Sequence, residues 1–111
     1  MEHKTYNGWT NYETWAVNLW LDGDEYLNEM AQNAYNEAEA DQYFTKEERA
    51  TLDLADSLKD YLEELQEETC PVTGLFADLL NAAMSEIDYH DLAESYMSEV
   101  EKDEPEEETE E

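Results

Sequence analysis

Acid–base, nucleophilic or metal chemistry in this chain would fall to Cys70, His3, His90 and its many carboxylates, and each group fits a different role. Cys70 stands directly before Pro71 at a predicted helix end with acids upstream, surroundings that disfavour a nucleophilic thiolate. His90 has Glu86 and Glu94 at four-residue steps, where either carboxylate can orient the ring or stabilise its charged form. One His with two acids falls short of a zinc donor set, so these residues read as a surface His with acidic neighbours. Asp22-Gly23-Asp24 opens like a calcium loop, but the Gly of the sixth position and the Glu of the twelfth are missing. No Gly-rich phosphate loop occurs, and no Ser-His-Asp arrangement stands out. The expectation is a protein without catalytic residues, metal or cofactor.

Carboxylates are what the chain has in excess: 32 Asp and Glu stand against 5 Lys and Arg, a net charge of -27. A soluble small domain is well served by a magnitude of about 2 to 8. Nine of the acids and one Lys fall from Glu99 onward, so residues 1–98 still carry 23 acids against 4 bases. Self-repulsion on this scale destabilises a compact state, which asks for a compensating use. On the third predicted helix Asp53, Asp56, Asp60, Glu63 and Glu67 repeat over about 21 Å, one carboxylate per roughly 5 Å. One strand of B-DNA offers a phosphate about every 3.4 Å. With acids from a neighbouring element beside it, such a helix approaches the linear charge density of a nucleic-acid backbone.

The partner this pattern predicts is a basic nucleic-acid-binding protein, engaged by Asp53, Asp56, Asp60, Glu63, Glu64 and Glu67, with Glu86, Asp88, Asp91 and Glu94 as a second strip. Bare nucleic acid and anionic membrane surfaces repel the chain. The composition also fits two roles that need no such groove. Acid excess with only four Lys keeps proteins soluble at high salt. An oligomeric structural or adaptor protein would use the Trp-rich stretch as its contact, against the charge on every subunit.

The elements that must position these groups are helical. A hydrophobic content of 41% with 12% aromatic residues is too high for an acidic disordered chain. No strand-like alternation of useful length occurs, so the fold expected is all-α, a compact bundle of four to five helices. Thr10 with Glu13 has the spacing of a capping box and predicts a helix over 10–21. On it Tyr12, Trp15, Ala16, Leu19 and Trp20 share one face, read as core, or else as a ligand or partner groove. Asn7, Asn11 and Asn18 are suited to capping or turning the chain. Gly23 ends the helix and Asp24 caps a second, over 25–40.

Thr45 with Glu48 repeats the capping-box spacing and opens the third helix, to about residue 67. There Leu54, Ala55, Leu58, Tyr61, Leu62 and Leu65 gather within about 60° of one direction and the acids take the other side. Pro71 stops it. Leu75, Phe76, Leu79, Leu80, Ala83 and Met84 predict a central, buried fourth helix with one acid, Asp78. Asp88 with Asp91 caps a fifth, whose inner face is Leu92, Ala93, Tyr96 and Val100. The predicted core is Trp9, Tyr12, Trp15, Leu19, Trp20, Leu58, Leu62, Phe76 and Leu80.

Length alone suits a single domain, here 1–100, with 101–111 as an acidic disordered tail. One Cys forms no internal disulfide and suits a reducing cytoplasm, the compartment expected. No apolar run approaches the roughly 18 residues of a membrane span.

GWTNYETW at 8–15, TGLFADLLNAAMSEI at 73–87 and DLAESY at 91–96 resemble a widespread family of small, largely uncharacterised proteins of bacteria, archaea, plasmids and phages. That family often has a Trp shortly after the Ser-Glu-Ile position, where this chain has Tyr89, and its segment corresponding to 24–68 varies. The resemblance carries over no catalytic residue. It implies a context of mobile elements and counter-defence, with CRISPR effectors or restriction enzymes as targets. The shared motifs would then build the fold, and the variable middle would set the partner.

Overall fold

The computed structural model describes residues 6–70 and 73–102, and five helices make up most of them: α1 Tyr12–Leu21, α2 Glu25–Glu37, α3 Lys46–Thr69, α4 Leu75–Met84 and α5 Tyr89–Met97. The fold is all-α. The expected lead-in, His3, Pro71 and most of the acidic tail lie outside the described residues.

The core sits where α3 packs against α5 and α2. Leu27, Ala31 and Tyr35 of α2, Ala50, Leu54 and Leu58 of α3, and Leu92, Ala93, Tyr96 and Met97 of α5 are buried there. Ala31, Ala50 and Ala93 have no exposed surface, and small side chains at these positions let the helix backbones approach closely. α3 presents its apolar stripe to this core as its periodicity predicts, and Thr45 with Glu48 forms the expected capping box, at 3.0 and 2.9 Å. Along the stripe Leu62 is half-buried and Leu65 already exposed, because the core ends before the helix does.

α1 is capped differently from the prediction. Its N-cap is Asn11, whose side-chain oxygen accepts from the amide and hydroxyl of Thr14 at 2.9 and 2.7 Å. Thr10 is drawn elsewhere: its hydroxyl donates to Asp88 Oδ2 at 2.7 Å and Asp91 Oδ2 at 2.9 Å, and its amide to Asp91 Oδ2 at 2.9 Å. Hydrogen bonds to carboxylates are stronger than a neutral cap, and they win Thr10. Before it, Tyr6 and Trp9 exchange backbone hydrogen bonds of 2.9 and 2.7 Å across Asn7 and Gly8. Both turn residues have positive φ, 49° and 88°, as a type I′ hairpin turn demands. The Asn-Gly pair announces that turn.

The predicted core needs correction at both short apolar helices. Tyr12, Leu19, Trp20 and Phe76 are exposed, Trp20 at 84% and Phe76 at 71%. Trp9, Trp15 and Leu80 are half-buried, and of the nine predicted core residues only Leu58 is fully buried. α1 turns Thr14, Val17 and Leu21 inward instead, and α4 turns Ala77 inward. Each of these two helices is apolar almost all round, so its periodicity names two candidate faces and the tertiary docking chooses between them. α4 is accordingly not a central helix.

Candidate functional site

Asp53, Asp56, Asp60, Glu63, Glu64 and Glu67 all reach solvent along α3. They are held in line by the opposite face of the same helix, which the core anchors through Leu54 and Leu58. Lys59 interrupts the strip. Its ammonium donates to Glu63 Oε2 at 2.6 Å, and that hydrogen bond, with the charge of Glu63 behind it, raises the Lys59 pKa above the ordinary lysine value. Both groups are exposed, so the pair adds little stability; its effect is to screen Glu63.

Two more acids flank the strip. Glu29 and Glu37 of α2 line, with Asp53 and Ser57 of α3, a groove of about 300 Å³ whose floor includes Met30 and Ala34. At the far end Glu67 and Glu68 occupy the last turn of α3, where no basic residue stands. A helix C-terminus carries partial negative charge and favours cations, each carboxylate there costing about 0.3 to 1 kcal/mol. Lys59 apart, no base stands on α3 between Asp53 and Glu67, so this stretch keeps a net negative field.

The second predicted strip does not exist as a surface. Asp91 is buried, 6% exposed, and Asp88 half-buried, because both carboxylates hold Thr10 while Asp88 also caps α5 by accepting from the Asp91 amide at 3.1 Å. The Asp88 amide donates to Thr14 Oγ1 at 2.8 Å, and Asn11 Nδ2 donates to the Glu86 carbonyl at 2.6 Å. The N-termini of α1 and α5 are thus sewn into one junction, where the positive end of the α5 dipole welcomes both acids. Their work is structural. Glu86 and Glu94 remain exposed.

His90 pairs with Glu94, Nδ1 to Oε2 at 3.7 Å, and no such contact joins it to Glu86. It lines an open cavity of about 670 Å³ with Tyr43, Phe44, Thr45, Glu47, Glu48, Thr51, Leu52 and Glu94. The cavity mouth is shaped by Asp41, which accepts from the amides of Tyr43 and Phe44 at 2.8 Å each; these bonds hold its pKa below the usual carboxylate value. The sequence marks a break between the second and third helices over 41–44, with Asp41 as its turn-forming residue, but no local pattern announces the cavity beside it. Cys70 closes α3 as its C-cap and is a free, half-buried thiol 3.4 Å from Thr69 Oγ1. Among the described residues no three His, Cys, Asp or Glu gather as a metal site, and no helix is long and apolar enough to cross a membrane.

The geometry offers one extended charged face, an open cavity and two outward apolar helix faces; among the described residues no three metal-ligating side chains gather. No curated protein and no solved structure matches the chain. A family model does, over residues 2–109, and the chain belongs to that family, DUF7249, a family of unknown function.

Proposed function

We propose that this protein is a non-enzymatic inhibitor that presents the acidic face of α3 in place of a nucleic-acid backbone and occupies the basic groove of a DNA- or RNA-binding protein. The observation that carries the proposal is the α3 face itself: six exposed carboxylates, one paired Lys among them, and two further acids from α2 beside Asp53. Lys and Arg of a nucleic-acid groove would pair with this row and release bound ions, as they do with phosphates. The lack of any base in the last turn of α3 supports the same reading, since stability alone would favour one.

The motif resemblance sets the biological context proposed: a phage- or plasmid-borne factor acting in the host cytoplasm on a CRISPR effector or a restriction enzyme. A second reading, an adaptor that binds through apolar side chains, draws on the exposure of Trp20, Leu75 and Phe76.

The test is capture from nuclease-treated lysate of cells with active CRISPR and restriction systems, at about 0.1 M and about 0.5 M salt. Mimicry predicts a DNA-binding partner held at low salt, lost at high salt and displaced by added duplex DNA. A partner held equally at both salts and indifferent to DNA would favour the adaptor, and no partner together with a Tm rising steeply in KCl would favour a salt-adapted domain.

A further inference from the structure

We infer that the outward face of α4 is a docking surface for an apolar protein segment edged by Lys and Arg. α4 joins the rest of the fold through one side: Ala77 is buried, Leu80 and Met84 are half-buried, and Asn81 Oδ1 accepts from Gln66 Nε2 of α3 at 2.7 Å. Leu75, Phe76 and Leu79 point the other way, 67%, 71% and 58% exposed. Three large apolar side chains on two adjacent turns form a contiguous patch, the kind that marks an interaction site.

The contrast with α1 singles α4 out. α1 also has an outward apolar face, but Tyr6 packs edge-on against Tyr12 and Trp15 at 5.4 and 5.2 Å, so part of that face is covered by the chain's own hairpin. No such cover lies over Leu75, Phe76 or Leu79 among the described residues.

Charge decides the occupant. On the helix wheel Asp78 lies between Asn81, which touches α3, and Leu75 at the edge of the patch. On α3, Glu63 lines the space beside Asn81 and Met84 with Lys59 paired to it, and the last turn of that helix carries Glu67 and Glu68 with no base. A second copy of this chain would bring the same carboxylates against each other, and an anionic membrane would be repelled by the whole body. A partner with apolar side chains at the centre and Lys or Arg at the border satisfies both features, since buried apolar anchors inside a charged rim are the usual anatomy of a specific interface. The inference rests on the proposed function only for the basic character of the partner; α4 would add the apolar anchor that separates a particular protein from other basic grooves.

The experiment uses two synthetic peptides of about fourteen residues and equal charge, one placing Leu and Lys as an amphipathic helix, the other with Gln in place of every Leu. Binding of each to the full chain is read by anisotropy. The wild type is expected to hold the Leu/Lys peptide at least about tenfold more tightly. Phe76→Ser with Leu79→Ser, and separately Leu75→Ser, should remove that preference while leaving the Gln/Lys affinity and the helical circular dichroism unchanged; Trp20→Ser should keep the preference. Asp56→Asn with Asp60→Asn and Glu64→Gln should weaken both peptides alike, and their failure to do so would count against the mimicry proposal alone. A preference that survives in the α4 variants overturns the docking surface, as does a dimer in about 0.5 M salt that Phe76→Ser dissolves.

Discussion

α3 and α4 are both rich in large apolar side chains, and these end in opposite environments: Leu54 and Leu58 have almost no exposed surface, whereas Leu75, Phe76 and Leu79 are mostly in solvent. The difference lies in what occupies the other side of each helix. On α3 a row of carboxylates must stay wet, so only one orientation buries the leucines without burying charge. On α4 the lone Asp78 leaves both sides apolar, and Ala77 with Leu80 and Met84 takes the inward place. Acids thus do two jobs here, orienting the long helix and furnishing its outer field.

The sharpest way to break this comparison is to truncate both stripes. Leu58→Ala should destabilise the fold by about 2 to 5 kcal/mol in urea unfolding, from lost transfer energy and the cavity left behind. Phe76→Ala should change it by less than about 0.5 kcal/mol. Equal losses would mean that α4 is packed as tightly as α3.

Alkaline titration probes the core side. Tyr96 is buried, and burial first, then the charges of Asp24 and Asp22, push its pKa from 10.0 up to about 12, while its hydroxyl donates to the Leu21 carbonyl at 2.7 Å. The folded state therefore holds this proton more tightly than the unfolded one. Its contribution is intact below pH 10 and is lost as the pH rises towards about 12. In Tyr96→Phe, which removes the ionisable group, the stability lost over that window should be smaller than in the wild type.

Asp91→Ala comes next, at about 1 to 3 kcal/mol, because it strips the partner from the Thr10 amide. If Asp91 were a surface contact instead, the change would be negligible. Thr45→Ala, which removes the capping box of α3, should cost about 1 kcal/mol.

Local features were the legible ones. Thr45 with Glu48, Asp24 before α2 and Asp88 before α5 all act within three residues, and each cap stands where its spacing puts it. The error at Thr10 has the opposite origin: the carboxylates that claim it lie 78 and 81 residues away, beyond any local pattern. The same contacts are why Asp88 and Asp91 are withdrawn from the surface while the α3 acids stay on it. Exposure of Trp20 and Phe76 was hidden for a related reason, since helices apolar on both sides do not encode which side docks. The α3 acids were legible because period alone separates them from Leu54 and Leu58.

The central claim is tested most directly by the captured partner's response to a neutralised α3 face. Asp53→Asn, Asp56→Asn, Asp60→Asn, Glu64→Gln and Glu67→Gln together alter exposed positions only, so the fold should persist, checked by circular dichroism. Mimicry predicts that this variant loses affinity at least about a hundredfold at low salt and that the remaining binding depends far less steeply on salt. Undiminished affinity with an unchanged salt slope would contradict it.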